Sequence, residues 1–364
     1  FRLLSVEDEQ KARIALNAVP GLGLVGIQKM MQAAGSAVAI CQDPGKWWPY
    51  LRRRPHCPSP QELQDLGGCQ GQSLHELGAT VLFPEDPAWP QSFCHLGNPP
   101  LLLYCCGSQK ALKTGQSRAA VIGARACTTY GKNQAHRFGL GLSHGGVSVV
   151  SGAARGVDQA GMRGGLEGGR PVIGVLGSGL DVPYPTDATP LLQEIMKAGG
   201  CVLSEFAFCT RPQRENFPRR NRLIAALSQA VVVVQASLKS GSLNTVGEAL
   251  GLGVEVFSIP GPVGQTTSQG THQLLRDGCA LAESPQEILA FLEIMHSTLD
   301  VDLRSPLYRV LEQEEISLDA LAEEVGMEPA LVQMELLEME LRGRVIQRPG
   351  GLYRLVGPCR EPSP

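Results

Sequence analysis

The stretch VSVVSGAARGVD, residues 147–158, is the one from which the fold can be read. Val147–Val150 is a short run rich in β-branched residues, the pattern of a strand covered on both faces. Ser151 and Gly152 end the run, Gly156 permits a sharp turn, and Val157 opens a segment with helical spacing. The same order of run, turn and amphipathic helix recurs from about residue 79 to 295. The other runs are Thr80–Phe83, Leu101–Cys105, Ala119–Ile122, Val172–Leu176, Val202–Ser204, Val231–Val234 and Val254–Ile259. Such strands joined by crossover helices imply a doubly wound, mostly parallel α/β sheet.

Outward from this centre the pattern changes twice. Residues 1–78 carry helical periodicity broken by Gly and Pro, so a helical domain is expected there. The segment GLGLVG at 21–26 satisfies G-x-G-x-x-G, but Gln10–Val19 before it reads as a helix ending at Pro20. A dinucleotide fingerprint needs a strand in that place. The segment reads instead as a helix-hairpin-helix, whose turn either offers N–H groups to a phosphate or simply joins two helices. Trp47 and Trp48 read as core rather than as a stacking platform. Beyond the domain expected over 79–296, Ser297–Asp302 is a polar linker. Ser305–Glu312, Ser317–Val325 and Pro329–Arg342 then read as three helices, and Val345–Leu355, centred on Pro349-Gly350-Gly351, as a hairpin. That is a winged helix-turn-helix over 303–357, followed by a tail at 358–364.

The net charge is −3, with 18% charged and 43% hydrophobic residues, so any nucleic-acid binding must come from a local patch. No apolar run reaches the roughly 18–20 residues of a membrane span, and no signal peptide opens the chain. A cytoplasmic protein is expected. Eleven cysteines without a C-x-x-C pair read as small buried side chains in a reducing compartment, not as zinc ligands.

In an open parallel sheet, ligands bind outside the carboxyl ends of the strands. Gly/Ser-rich loops gather at that edge. One is Ser151-Gly152-Ala153-Ala154-Arg155-Gly156; others are Gly177-Ser178-Gly179 and Lys239-Ser240-Gly241-Ser242, and Gly123-Ala124-Arg125 follows a fourth strand. Unpaired N–H groups at helix starts there would form a shelf for several phosphates. The segment RPQRENFPRRNR adds Arg211, Arg214, Arg219, Arg220 and Arg222, with Asn221, against the single acid Glu215. Arginine without lysine favours planar, bidentate phosphate contact. Phe217, read here as part of a polar loop, is either a stacking surface for an unpaired base or an anchor for the loop. Asp158, Asp181 and Glu248 on the same edge are expected to brace loops or cap helices. No P-loop, H-E-x-x-H or nucleophile elbow occurs, and no cofactor is implied. The reading is a binder of single-stranded nucleic acid and not an enzyme.

These residues together resemble the DprA/Smf family of DNA-processing proteins. The motifs that carry the likeness are DPAWP (86–90), NPPLLLY (98–104), VIGAR (121–125), YGK (130–132), SGAARGVD (151–158), VLGSGLDVPYP (175–185), FPRRNR (217–222), SGS (240–242) and IPGPV (259–263), in family order and spacing. The resemblance implies an extended Rossmann-like domain flanked by a SAM/helix-hairpin-helix-like and a winged-helix domain. It implies a homodimer that coats incoming single-stranded DNA and loads the RecA recombinase during natural transformation. It points to Arg125, Arg214 and Phe217 as contacts for the strand. It also sets Thr271–Ala280, with Leu274, Leu275, Cys279 and Leu281, near a protomer-pairing surface. Two positions depart from the family pattern: Ala153 stands where a larger aliphatic is common, and Gln235 where an acid is frequent.

Two rivals remain. A lysine-decarboxylase-like nucleotide phosphoribohydrolase is partly echoed by residues 240–248, although it leaves the arginine segment and the C-terminal domain unexplained. A winged-helix transcription regulator meets a charge objection. Its third helix, Glu328–Arg342, would bring Glu328, Glu335, Glu338 and Glu340 with only Arg342 to a phosphate-walled groove. Leu331, Met334, Leu337 and Leu341 are expected to pack inward, leaving Arg344, Arg348 and Arg354 on the wing. That domain is therefore expected to contact protein rather than to read a duplex.

Overall fold

All eight expected runs form strands, and they share one sheet. In chain order these are β1 (Thr80–Leu82), β2 (Leu103–Gly107), β3 (Arg118–Ile122), β4 (Ser148–Ser151), β5 (Ile173–Val175), β6 (Cys201–Ser204), β7 (Ala230–Val233) and β8 (Glu255–Ser258); a two-residue strand, β9 (Ala280–Leu281), extends the edge. The computed structural model describes residues 6–51, 55–113, 115–293, 306–311, 315–341, 345–348 and 350–355. The expected linker and tail, together with Glu312, Arg342, Arg344 and Pro349, lie outside the described residues, as do the side chains of Glu338 and Leu341.

The strand order is β1-β2-β6-β5-β4-β3-β7-β8-β9. From β6 to β9 every neighbour is parallel, whereas β2 pairs antiparallel with both β1 and β6. The chain therefore runs outward from β3 through β4, β5 and β6, then returns to the other side of β3 with β7. That reversal is the switch point at which such sheets bind ligands. Val231, Val232, Val233 and Val234 have no exposed surface, as the unalternated run requires.

Helices α6 (Thr129–His144), α7 (Val157–Glu167), α8 (Thr189–Lys197), α9 (Asn216–Ala226), α10 (Ser242–Gly251) and α11 (Gln269–Arg276) connect these strands, and α12 spans residues 285–293. Helices α6 and α7 meet backbone to backbone. A Cβ at Gly139 would lie 2.1 Å from the Gly161 carbonyl oxygen, and one at Gly164 would lie 2.1 Å from that of His136. Only glycine fits such an approach.

Before the sheet come α1 (Val6–Asn17), α2 (Leu24–Ala34), α3 (Ala37–Gln42), α4 (Pro44–Trp47) and α5 (Pro60–Leu77). The Gly21–Gly23 turn joins helix to helix, as the G-x-G-x-x-G segment was expected to do. Trp48 is buried, and both indole N–H groups are used internally: Trp47 donates to Ala39 O at 3.2 Å and Trp48 to Pro55 O at 3.0 Å. This helical region shares one compact unit, Phe1–Leu289, with the sheet. Asn17 Nδ2 donates to Glu205 O at 3.1 Å, Gln28 Nε2 to Pro99 O at 3.0 Å, and Phe208 N to Gln70 Oε1 at 2.9 Å. A domain boundary near residue 78 is proposed from the change of element type at Thr80.

The second unit, Ala290–Pro364, holds α13 (Pro306–Leu311), β10 (Ile316–Ser317), α14 (Leu318–Val325), α15 (Pro329–Leu341), β11 (Val345–Arg348) and β12 (Leu352–Leu355). Its sheet order is β10-β12-β11, a winged helix with one short strand beyond those expected. One expectation fails here. Val332, Leu336 and Met339 of α15 are buried, while Leu331, Met334 and Leu337 are 50%, 59% and 54% exposed. The helix is apolar on both faces, so the spacing alone does not set which face turns inward.

Candidate functional site

The loops leaving β3, β4 and β7 border a groove of roughly 1000 Å³, with Arg125, Arg214, Phe217, Arg220, Ser240 and Ser242 among its lining. A smaller pocket of about 320 Å³ lies between Arg125, Arg155, Tyr184, Phe217 and Arg220.

The arginine segment divides into two classes by burial. Its second half is not a loop: α9 starts at Asn216, and Pro218 sits in the first turn, where a missing N–H costs nothing. The helix turns Arg220 inward to 4% exposure, where it donates to the Val175 carbonyl. Burial pushes its pKa down to about 10, partly offset by Asp158. Asp158 is itself buried, and burial raises its pKa against the pull of Arg220. Its carboxylate accepts from Gly152 N at 3.2 Å and Ala154 N at 3.4 Å. A Cβ at Gly152 would strike the Arg220 guanidinium. The β4 loop is thus braced from within by the Asp158 carboxylate, with the Arg220 guanidinium packed against Gly152, and the N–H groups of Gly152 and Ala154 already have a partner.

Arg222 is likewise internal, paired with buried Glu205 and donating to Asn98 O at 2.9 Å. Burial raises the Glu205 pKa, opposed by Arg222 and then Arg219. Arg219 stands 3.9 Å from the same carboxylate and 5.0 Å over the Phe206 ring, with its side chain 44% exposed. Asn221 is buried, its amide 3.5 Å from Gly241 O.

Several shelf residues also turn out to be internal. Ser151 is buried and donates to Val121 O at 2.7 Å. Gly177, Ser178 and Gly179 are all buried; Ser178 donates to Val182 O at 2.7 Å and Gly179 N to Thr210 O at 2.9 Å. The β5 loop therefore lies beneath the 204–210 segment instead of presenting N–H groups outward. Gly156 has φ +85°, and a Cβ there would lie 2.5 Å from the Arg125 carbonyl oxygen, so it joins the β3 and β4 loops closely. Gln235, without exposed surface, accepts Thr128 N at 2.9 Å through its amide oxygen, while its backbone oxygen accepts Ala124 N at 2.7 Å. An amide does the tethering at this departure from the family pattern.

A second set of cations faces outward. Arg211, Arg214 and Lys239 are exposed, with no ion pair or side-chain hydrogen bond among the described residues. Arg155 is exposed but pairs with Asp187 at 3.1 Å. Exposed Arg125 lies 5.0 Å over the Phe217 ring. Gly241 is open at the start of α10, next to a 2.8 Å contact between the Ser240 and Ser242 hydroxyls. These unpaired cations and the positive end of α10 favour an anion.

Phe217 is half-buried, with Tyr184 at 5.7 Å between ring centroids and Gly177 beneath it. Both its packing and its place on the groove wall matter. Phe217→Ala is expected to weaken single-stranded DNA by about 1–3 kcal/mol if the ring stacks on a base. Thermal unfolding beside a binding titration checks this, since a lowered melting temperature with unchanged affinity would reduce the ring to an anchor. Tyr184, Thr245 and Thr266 also line the groove and escaped the sequence reading. Tyr184 offered a signal, an aromatic held between two prolines in VPYP.

Residues 80–293 match the family model for DNA recombination-mediator protein A, and residues 297–351 match the DprA winged helix domain. The chain belongs to the DprA/Smf family. It is 36% identical to Protein Smf of Escherichia coli over 294 residues, which cover 76% of this chain and 78% of that one. It is 38% identical to DNA processing protein DprA of Streptococcus pneumoniae over 247 residues, 64% of this chain and 86% of the relative. The solved structure of the Streptococcus pneumoniae DprA superposes with a TM-score of 0.62 at 29% identity, covering 77% of this chain and 95% of that one. The structure of the Helicobacter pylori DNA processing protein A, solved to describe that protein's single-stranded DNA binding mode, gives 0.53 at 34% identity over 59% of this chain and 95% of that one. The chain is a DprA-family DNA-processing protein with a Rossmann-like sheet and a C-terminal winged helix.

Proposed function

We propose that this DprA-family protein binds single-stranded DNA in the groove beside β3 and β7, without catalysing a reaction on it. The observation that carries the reading is the sorting of cations. Arg220 and Arg222 are spent internally, whereas exposed, unpaired Arg214 lines a groove walled by Arg125 and Phe217, and Arg211 and Lys239, also exposed and unpaired, each stand one residue from its lining. A groove with free cations and an aromatic wall suits a flexible strand whose bases are unpaired. The Helicobacter pylori relative, described as binding single-stranded DNA, supports the same ligand class. Titration with dT oligomers at several salt concentrations is expected to give a log–log slope of about −0.7 per phosphate contact, hence roughly −2 to −3 for three or four contacts. Duplex DNA bound as tightly as dT would sink the proposal.

The finer role rests on family likeness: a homodimer that protects incoming strands and loads RecA in natural transformation, in the cytoplasm. Among the described residues no helix is long and apolar enough to cross a membrane. The proposed pairing surface is the apolar edge of α11 and β9, where Leu275 is half-buried and Leu281 is 47% exposed. Leu275→Glu is expected to convert a dimer to a monomer in light scattering and to slow RecA assembly on coated single strands. A wild type already monomeric at micromolar concentration, with RecA assembly unaffected, removes this part of the reading.

A further inference from the structure

The winged-helix unit carries an apolar stripe on the helix that a duplex-reading domain would insert into DNA. At 100° per residue, Val332, Leu336 and Met339 lie on one side of α15 and Leu331, Met334 and Leu337 on the opposite side. The first three are buried in the unit's core with Leu307, Leu311 and Leu321. The second three are at least half exposed and extend about 9 Å along the helix. Side chains of this size in a row mark a contact surface more often than chance exposure.

Charge then selects the occupant. Going round the helix, Glu335 borders the stripe on one side and Glu340 on the other, with Glu328 at its amino end. None of the three has an ion pair among the described residues, and exposed Glu323 and Glu324 on α14 add to the same sign. A phosphate backbone meets like charge here. A second copy does too, because antiparallel pairing about Met334 would set Glu328 against the position of Glu340. A cationic amphipathic segment meets leucine with leucine and acid with base.

We infer that the outward face of α15, Leu331, Met334 and Leu337 within its acidic border, is a docking surface for a basic amphipathic helix of a partner protein. The surface is independent of the single-stranded DNA groove, and either reading can fail alone.

The probe is a labelled peptide of about 18 residues, leucine at helical spacing and lysine elsewhere, titrated into the full chain by fluorescence anisotropy. Controls replace every lysine with glutamate or every leucine with serine. The lysine peptide is expected to bind in the micromolar range and both controls at least tenfold more weakly. Leu331→Gln with Leu337→Gln leaves the charge unchanged, and Glu335→Lys with Glu340→Lys leaves the stripe unchanged. Each pair is expected to weaken the peptide at least tenfold while dT affinity stays as in the wild type. If the glutamine pair disturbs folding, the lysine pair still decides. Equal binding by the variants, or by the glutamate peptide, overturns the assignment. So does a wild-type dimer that the glutamine pair dissociates, since the occupant would then be a second copy.

Discussion

Replacing Arg220 with alanine is expected to cost about 3–5 kcal/mol of folding stability, the range for leaving a buried charge uncompensated. The guanidinium is 4% exposed, its charge offsets that of buried Asp158, and its bond to the Val175 carbonyl ties α9 to the end of β5. Without it a carboxylate remains buried with the backbone N–H groups of Gly123, Gly152 and Ala154 but without the compensating charge of Arg220. Urea unfolding of the variant beside Arg220→Met/Asp158→Asn gives the decisive comparison. The double change removes both charges and keeps an acceptor for the β4 loop, so part of the loss is expected to return. A loss under about 1 kcal/mol for the single variant would show that Arg220 does not brace the site.

The joint variant Arg211→Ala/Arg214→Ala/Lys239→Ala is expected to behave in the opposite way, with its fold intact and its binding lost. All three side chains are exposed and unpaired, so their removal leaves no buried group without a partner. If each neutralises one phosphate, the log–log salt slope becomes shallower by about 2. Affinity for dT at 0.15 M salt then falls about 50-fold, from three contacts at 0.7 each. Circular dichroism and melting temperature should match the wild type. An unchanged slope would falsify the assignment of these cations to the strand. The two variants together separate residues that build the groove from residues that meet its ligand.

The unalternated valine runs announced the sheet because burial on both faces leaves no room for polar alternation. β9 escaped because two residues carry no period. The arginine segment was legible as a charge cluster but not as two classes of arginine. Arg220 enters the field of Asp158 across 62 positions of sequence and Arg222 pairs with Glu205 across 17, neighbourhoods that only the tertiary fold creates. Pro218 also disguised the start of α9, since proline reads as a loop residue unless its place in a first turn is known. The glycines of the β5 loop looked like phosphate-binding turns, yet they serve the tight fit beneath Phe217 and the 204–210 segment. In α15 leucine, valine and methionine occupy both faces, so the phase of burial could not be read from spacing.

Glu205 joins parts of the molecule that the sequence separates by nearly two hundred residues. Its backbone carbonyl accepts the amide of Asn17 on α1, while its carboxylate holds Arg222 and stands near Arg219 on α9. Three residues on, Phe208 N is held by Gln70 of α5. The amino-terminal helices and the arginine helix thus share one foothold, so binding at the groove is expected to be linked to order in α1 and α5. Whatever loosens α1 or α5 is expected to weaken the platform proposed for the strand. Such linkage runs both ways, so a strand bound in the proposed groove is expected to shield the amino-terminal helices from proteases that cut far from it.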